Sequence, residues 1–210
     1  YIAANLTKAE NLQDHLLPGL EPNGVPKNLR NTIFPFKYNN FSELETLLST
    51  QDIGVIKMEV SREKPPKNNF LEQVRELSKK NNIVLIFDEC TSGFRQNFGG
   101  LHKVYNVEPD MAIFGKALGN GYAITATIGK REIMEAAQSS FISSTFWTER
   151  IGPTAALKTL EVMEKTKSWE TIVETGKVIT EGWIELANKY NLSITTSGLP
   201  SLPSFSFNTR

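Results

Sequence analysis

The sequence predicts an α/β fold, in which helices cover the faces of a largely parallel sheet. Short β-branched and aromatic runs alternate with helical patterns from residue 53 onward, the order expected of strand–helix–strand units. One of these runs, at residues 83–87, contains no polar residue and therefore predicts a strand buried on both faces. The chain has 210 residues, enough for one substantial domain or for one domain and part of another.

The first forty residues contain many turn formers and little periodicity, as in Pro18-Gly19 and Pro22-Asn23-Gly24. They predict a long arm without regular structure, which is typical of functional or interface segments. A short helix follows at residues 41–49, where either Asn40 or Ser42 is suited to cap the first turn.

Strands and helices then alternate along the chain. Apolar residues at helical spacing predict an amphipathic helix at residues 69–80, which Asn81 and Asn82 end because asparagine tolerates the left-handed conformation. A shorter helix is expected at residues 132–137. The predicted strands are residues 53–60, 83–87, 111–114 and 124–128.

The C-terminal part has a different order of elements. Residues 152–165 and 169–190 predict two longer helices, and strand character returns at 192–196 and 204–207. The sequence therefore predicts a domain boundary near residues 166–168. Residues 1–166 would form part of a large domain, and residues 167–210 the start of a smaller α+β domain. Because the chain lacks an initiator methionine and stops within a predicted strand, both ends are expected to continue into a longer protein.

Composition and charge argue against several function classes. The chain has 23 basic and 23 acidic side chains and a formal net charge of zero, so no nucleic-acid or anionic-membrane partner is expected. No apolar run is long enough to span a membrane, and no secretory signal is visible. The single cysteine, Cys90, cannot form an internal disulfide, which favours the reducing cytoplasm.

Two side chains of opposite charge follow neighbouring predicted strands. Asp88 comes directly after the strand at residues 83–87, and Lys116 follows the strand at residues 111–114. Ligands of open α/β sheets bind at the carboxyl ends of the strands, so this pair can face one bound molecule. Pyridoxal 5′-phosphate (PLP) requires a lysine that forms a Schiff base with its aldehyde and an aspartate that keeps its pyridine nitrogen protonated.

Each residue alone has an ordinary explanation. An acidic pair after a strand often begins a loop or binds a metal, and a lysine before a glycine turn is usually solvated. A Walker phosphate loop is excluded because Lys116 is followed by alanine. A metal-dependent hydrolase built on Asp88 and Glu89 lacks further ligands, since neither His15 nor His102 has a partner at metal-binding spacing. A non-catalytic α/β binding module stays open as an alternative.

Three sequence motifs resemble those of one known family. The segments 86–95 (IFDECTSGFR), 105–110 (YNVEPD) and 114–121 (FGKALGNG) resemble, in order and spacing, the signature of the class III aminotransferases. Within this family of fold-type-I PLP enzymes, the chain is most similar to glutamate-1-semialdehyde 2,1-aminomutase-like proteins. The resemblance implies a PLP-dependent transferase-like large domain with three layers, α/β/α, and a mostly parallel sheet.

The resemblance also implies roles for individual residues. Lys116 would form the Schiff base, Asp88 would bind the pyridine nitrogen, and Thr91 would approach the phenolic oxygen of PLP. Thr145 corresponds to the threonine that reaches the cofactor phosphate of the other subunit, which implies a homodimer with shared active sites. Glu59 corresponds to a glutamate at a strand end and is implied to contact the substrate.

The implied function is PLP-dependent transfer of an amino group. The chain would belong to an aminotransferase that acts on an amino acid or an amino-aldehyde or keto substrate, or to an aminomutase that moves the group within one molecule. The sequence does not separate the two. Residues 147–150 (WTER) replace the usual Gly-Asn-Pro, and residues 61–64 (SREK) replace a proline-containing segment. An altered substrate or phosphate region is therefore expected, and the phosphate cradle and ring-stacking aromatic residue are expected upstream of Tyr1.

Overall fold

The computed structural model describes residues 23–61 and 63–208 of the chain. Packing divides the chain into two units, Tyr1–Ile53 and Gly54–Arg210. Much of the predicted arm, including His15, lies outside the described residues. The described part of the first unit contains a 3₁₀ helix at Lys27–Leu29 and helix α1 at Phe41–Thr50. The Asn40 side chain accepts a hydrogen bond from the backbone N–H of Glu43, which confirms the predicted cap.

The second unit is built on a four-stranded sheet in the order β1-β2-β3-β4. Strands β1, β2 and β3 are parallel, and β4 is antiparallel to β3. The mostly parallel sheet predicted from the sequence is therefore confirmed, and each strand lies within a residue or two of its predicted bounds. The strands are β1 at Val55–Glu59, β2 at Val84–Asp88, β3 at Met111–Phe114 and β4 at Ala126–Gly129.

Helix α2, at Phe70–Lys80, packs against β2 and buries the apolar face predicted for it. Asn82 follows its end in the left-handed conformation (φ 54°), as expected. The prediction that the second strand is buried on both faces is wrong. Leu85 and Phe87 are fully buried, whereas their neighbours on the other face of β2 are only half-buried. Within the described chain, the buried face is the one that α2 covers, and the opposite face stays partly open.

The remaining elements follow β4. A short helix α3 at Arg131–Met134 continues as a 3₁₀ helix at Glu135–Ser139. The longer helices are α4 at Ile151–Thr166 and α5 at Ser168–Lys189, and an antiparallel hairpin of β5 (Ile194–Leu199) and β6 (Leu202–Phe207) follows them. Helix α4 packs through Ala156 on an apolar cluster that includes Phe114 and Leu118, which fixes the end of β3 from one side.

The break between α4 and α5 is a single residue, Lys167, in the left-handed conformation (φ 49°). The predicted domain boundary falls at this break and stays a prediction. Helix α5 lies close against the hairpin, since a side chain at Gly176 would come within 1.8 Å of the carbonyl oxygen of Pro200. No helix in residues 23–61 or 63–208 is long and apolar enough to cross a membrane.

Candidate active site

The carboxyl ends of the parallel strands bring several predicted site residues to one edge of the sheet. Asp88, the last residue of β2, pairs with Glu59 on β1 and with Ile113 on β3. Lys116 follows the end of β3 by two residues. Consecutive residues contact the two charged groups: the backbone N–H of Cys90 donates to the Asp88 carboxylate, and the Thr91 hydroxyl accepts from the Lys116 amine. The predicted acid and lysine are thus neighbours in the structure.

Lys116 is held in place by its backbone and by one hydrogen bond. It begins the 3₁₀ helix Lys116–Leu118 with φ 47°, a left-handed backbone conformation that residues other than glycine and asparagine rarely adopt. Its Nζ atom donates a hydrogen bond to the Thr91 hydroxyl at 2.7 Å. Among the described residues it has no ion-pair partner, so no carboxylate must be displaced before the amine reacts.

A tight turn follows this lysine because the backbone doubles back at Gly119. A Cβ atom at that position would lie 2.2 Å from the carbonyl oxygen of Tyr122, so only glycine fits there. Asn120 and Gly121 then take left-handed conformations. The Gly-Asn-Gly motif therefore serves to turn the chain beside the lysine.

The carboxylate of Asp88 is bound by two donors. Oδ1 accepts a hydrogen bond from the backbone N–H of Cys90 at 3.1 Å, and Oδ2 lies 2.6 Å from Nζ of Lys57. Burial raises the pKa of Asp88, but the Lys57 ammonium and the Cys90 N–H outweigh burial and hold this pKa below its usual value. Asp88 is therefore ionised at neutral pH, as a partner of a protonated ring nitrogen must be.

Sequence reasoning missed Lys57. The residue lies in the middle of β1, where alternation places it on the same face as Glu59. The available signal was a lysine between apolar residues in the middle of a strand. Its partner could be identified only from the register of β1 against β2, which the sequence does not contain.

Glu89, next to Asp88 in the chain, is not part of this edge. Its carboxylate is fully buried and accepts hydrogen bonds from the Ser92 hydroxyl and from the backbone N–H and ring of His102. These bonds use its acceptors inside the fold, so Asp88 and Glu89 do not form a metal-binding pair. No group of three His, Cys, Asp or Glu side chains in the described parts of the chain could hold a metal ion.

No hydrogen bond joins Thr145 to Asp88, Thr91 or Lys116 in the described parts of the chain. Thr145 lies in an exposed turn before α4, beside Phe146 and Trp147, which are 61% and 71% exposed. Its hydroxyl has no hydrogen-bond partner among the residues that the structure describes. In the WTER segment that follows, the Glu149 carboxylate caps α4 by accepting hydrogen bonds from the backbone N–H groups of Ile151 and Gly152.

The side chains at this edge have the chemistry that PLP requires. The Lys116 amine is available for covalent attachment, and the Thr91 hydroxyl beside it can also bond a phenolic oxygen. The Asp88 carboxylate already contacts a cation, the Lys57 ammonium, at 2.6 Å, and a protonated ring nitrogen is a second cation of the same kind. The residues present therefore fit the cofactor's aldehyde and ring nitrogen.

Comparison with known proteins gives a consistent result. The sequence profile of the family described as aminotransferase class-III matches residues 63–199. The 3-aminobutyryl-CoA aminotransferase of Cloacimonas acidaminovorans is 34% identical over 193 residues, which cover 88% of this chain and 47% of that protein. A glutamate-1-semialdehyde 2,1-aminomutase of Sulfolobus acidocaldarius is 37% identical over 174 residues, covering 80% of this chain and 41% of that protein. The chain spans less than half the length of these two relatives.

A solved structure has the same fold. The FumI protein of Sphingopyxis sp. MTA144, in its PLP internal aldimine form, superposes with a TM-score of 0.82 at 22% sequence identity. The match covers 88% of this chain and 47% of that one. At this level of identity the likeness establishes the fold.

Proposed function

The chain belongs to the class-III aminotransferase family, and on that premise we propose that it forms the lysine-bearing part of a PLP-dependent enzyme that transfers amino groups. The family and fold predicted from the sequence are thereby confirmed. The observation that carries the functional proposal is the position of the Lys116 amine, which is hydrogen-bonded to Thr91 at the same sheet edge as the ionised Asp88.

The roles of the residues follow from this arrangement. Bound PLP supplies an electron sink that makes removal of the substrate Cα proton feasible. Lys116 would hold the cofactor covalently, and its amine, when free, would serve as the base that takes up and returns that proton. Asp88 keeps the proton on the ring nitrogen, because its own low pKa leaves it a negative partner for that cation.

Thr91 and Glu59 have supporting roles in the proposed reaction. The Thr91 hydroxyl positions the lysine amine and bonds the phenolic oxygen. Glu59 stands beside Asp88 in the sheet register and contacts the substrate. A non-catalytic binding module has no use for a lysine in a strained backbone conformation beside an ionised aspartate, and strain of this kind is concentrated at functional sites.

The reaction is that of an aminotransferase acting on an amino acid or an amino-aldehyde or keto substrate. An intramolecular aminomutase is the second candidate, favoured by the 37% identity to a glutamate-1-semialdehyde 2,1-aminomutase. Both reactions use the same proton transfer at Lys116 and differ in whether the amino group leaves with its first carrier. The substrate is a small molecule in either case.

Assembly and location are part of the same proposal. A homodimer with shared sites is supported by Thr145, whose exposed hydroxyl is available to a neighbouring subunit. The apolar side chains beside it, Phe141, Phe146 and Trp147, are all more than half exposed and would be covered in such a dimer. The free thiol of Cys90 supports a cytoplasmic location.

The test is chemical labelling of the intact protein. The protein is incubated with PLP, reduced with borohydride and digested, and the modified peptide is identified by mass spectrometry. We expect the label on Lys116 and none on Lys57, since Lys57 has the Asp88 carboxylate as its partner and Lys116 has no carboxylate partner among the described residues. A label confined to another lysine, or none under conditions that label a known PLP enzyme, would contradict the proposal. Amino donors and acceptors are then screened to separate transfer between molecules from transfer within one.

A further inference from the structure

The cation that contacts Asp88 is the ammonium group of Lys57, a residue with no role in the proposed reaction. Lys57 lies on β1, one strand away from Asp88, and its Nζ atom is 2.6 Å from Oδ2. The lysine side chain is 53% exposed and the aspartate 22%. An ion pair of this exposure contributes little to stability in general, about 0–1 kcal/mol, so stability alone gives no strong reason for it.

The geometry of the carboxylate makes this contact relevant to the cofactor. The backbone N–H of Cys90 holds Oδ1 and so fixes the plane of the carboxylate. Nζ of Lys57 donates a hydrogen bond to Oδ2. A ring nitrogen that approaches Asp88 must therefore share the carboxylate with an ammonium group that is already there.

We propose that Lys57 shares Asp88 with the pyridine nitrogen of the cofactor and weakens the hold of that nitrogen on its proton. The inference rests on the proposed function and deepens it. One negative charge is divided between two cations, and the two cations repel each other across it. The bound cofactor then stabilises less negative charge at the reacting Cα. Lys57 is in this sense a positioning residue that limits the strength of the electron sink.

The other titratable groups around Asp88 do not supply this effect. Glu59 is its neighbour on β1, and Cys90 and Lys116 lie beyond the strand ends. Burial and the charge of Asp88 raise the pKa of Cys90, so its thiol stays neutral at pH 7. All three residues remain unchanged when Lys57 alone is replaced, so a difference between the variants reports on Lys57.

A matched control exists at the opposite end of the strands. Lys130 pairs with Asp110 at 2.7 Å and is 41% exposed, so it resembles Lys57 in chemistry and exposure. Asp110 stands just before β3, at the amino end of the sheet, away from Lys116. The variants are Lys57→Met, which keeps length and loses charge, Lys57→Arg, which keeps the charge, and Lys130→Met. Lys57→Gln replaces Lys57→Met where methionine prevents folding.

The measurement is the ¹⁵N chemical shift of ring-labelled PLP bound to the intact protein, followed with pH to give the pKa of the ring nitrogen. We expect Lys57→Met to raise this pKa by about one unit. A neighbouring charge shifts a pKa by about 1–3 units, and the half-exposed Lys57 should act at the lower end of that range. Lys57→Arg and Lys130→Met should leave it at the wild-type value.

Each other outcome has a definite meaning. An unchanged or lowered pKa in Lys57→Met overturns the inference, as does a wild-type ring nitrogen that stays protonated over the whole accessible pH range. An equal rise in Lys130→Met would also overturn it, because the effect would then not arise at Asp88. If the wild-type protein does not attach PLP at Lys116, the proposed function fails instead, and borohydride labelling distinguishes the two failures.

Discussion

Nζ of Lys116 lies 2.7 Å from the hydroxyl oxygen of Thr91, a residue that is itself almost completely buried. The backbone carbonyl of Thr91 also accepts a hydrogen bond from the Arg95 side chain at 2.7 Å, which steadies the loop after β2. The Lys116 amine is therefore positioned by the segment that carries Asp88 as well as by its own strand. Five predictions test this site and the fold that supports it.

Replacing Lys116 by alanine should abolish the near-visible absorbance of the covalently attached cofactor. Turnover should fall by several orders of magnitude, because the proton shuttle alone contributes roughly 10²–10⁴-fold and covalent attachment is lost with it. Absorbance spectra and steady-state kinetics of the intact protein measure both effects. Near-normal turnover in a variant that borohydride no longer inactivates would remove Lys116 from the mechanism.

Replacing Asp88 by asparagine should weaken catalysis far more than folding. Asparagine matches the shape of aspartate but does not keep the ring nitrogen protonated, so removal of the Cα proton should slow strongly. Folding loses only the partly exposed pair with Lys57, about 0–1 kcal/mol. A denaturant titration and single-turnover spectra measure the two effects separately. A normal rate of proton removal would show that Asp88 is not the ring partner.

The Thr91 hydroxyl should matter through its bond to Lys116. Thr91→Val keeps the volume and removes the acceptor, at a cost of about 1.5–3 kcal/mol for a bond to a charged group. The corresponding loss is roughly ten- to a hundredfold in kcat/KM or in PLP affinity. Thr91→Ser retains the hydroxyl and is the control. Equal losses in both variants would place the effect in packing rather than in the hydrogen bond.

Thr145 should complete the phosphate site of the partner subunit. Thr145→Val should loosen PLP by roughly ten- to a hundredfold, because a hydroxyl bond to a charged phosphate is worth about 1.5–3 kcal/mol. When Lys116→Ala and Thr145→Val proteins exchange subunits, at a PLP concentration that leaves Thr145→Val sites empty, each heterodimer has one site with both changes and one with neither. Activity should return towards half the wild-type value per heterodimer. Proven exchange without recovery would mean that the sites are not shared.

Asp110 should make the fold sensitive to acid. Burial raises its pKa, but hydrogen bonds from Arg75, Leu85 and Lys130 lower it far below the usual range. Since the folded-state pKa is the lower one, the unfolded chain takes up the proton first. The stabilisation is therefore complete above about pH 4, the unfolded value, and is lost as the pH falls further.

Asp110→Asn should flatten this decline in the free energy of unfolding. It should also cost about 3–5 kcal/mol at neutral pH, because Arg75, 10% exposed, is left without its counter-charge. Urea titrations over a range of pH measure both quantities, with the exposed Asp52→Asn as control. An unchanged acid slope in Asp110→Asn would mean that other carboxylates dominate the acid response.

Much of the fold and of the candidate site was accessible from the sequence because local patterns encode it. Asp88 directly follows the apolar run at residues 83–87, and Lys116 comes two residues after the run at 111–114, so the ends of the predicted strands place both residues on one edge. Asp88 is the last residue of β2 and Glu89 the next one, so their side chains point in different directions and the second acid turns into the core beside His102.

The rest depends on relationships between strands and on what covers them. The pair of Lys57 and Asp88 exists because of the parallel register of β1 and β2, which no local pattern specifies. The half-buried face of β2 was misjudged because an apolar run reports hydrophobicity and not the layers that pack on it. The capping role of Glu149 depends on where α4 begins, which the departure of the WTER segment from the family's motif does not indicate.

The left-handed backbone at Lys116 has a consequence for protein engineering. At φ 47°, glycine is the residue that the local conformation favours, and a side chain there costs roughly 1–2 kcal/mol. Replacement by glycine removes this conformational cost together with the amine, so selection for heat tolerance alone does not protect the lysine. Selection of thermostable variants of this scaffold therefore needs an activity assay beside the stability assay.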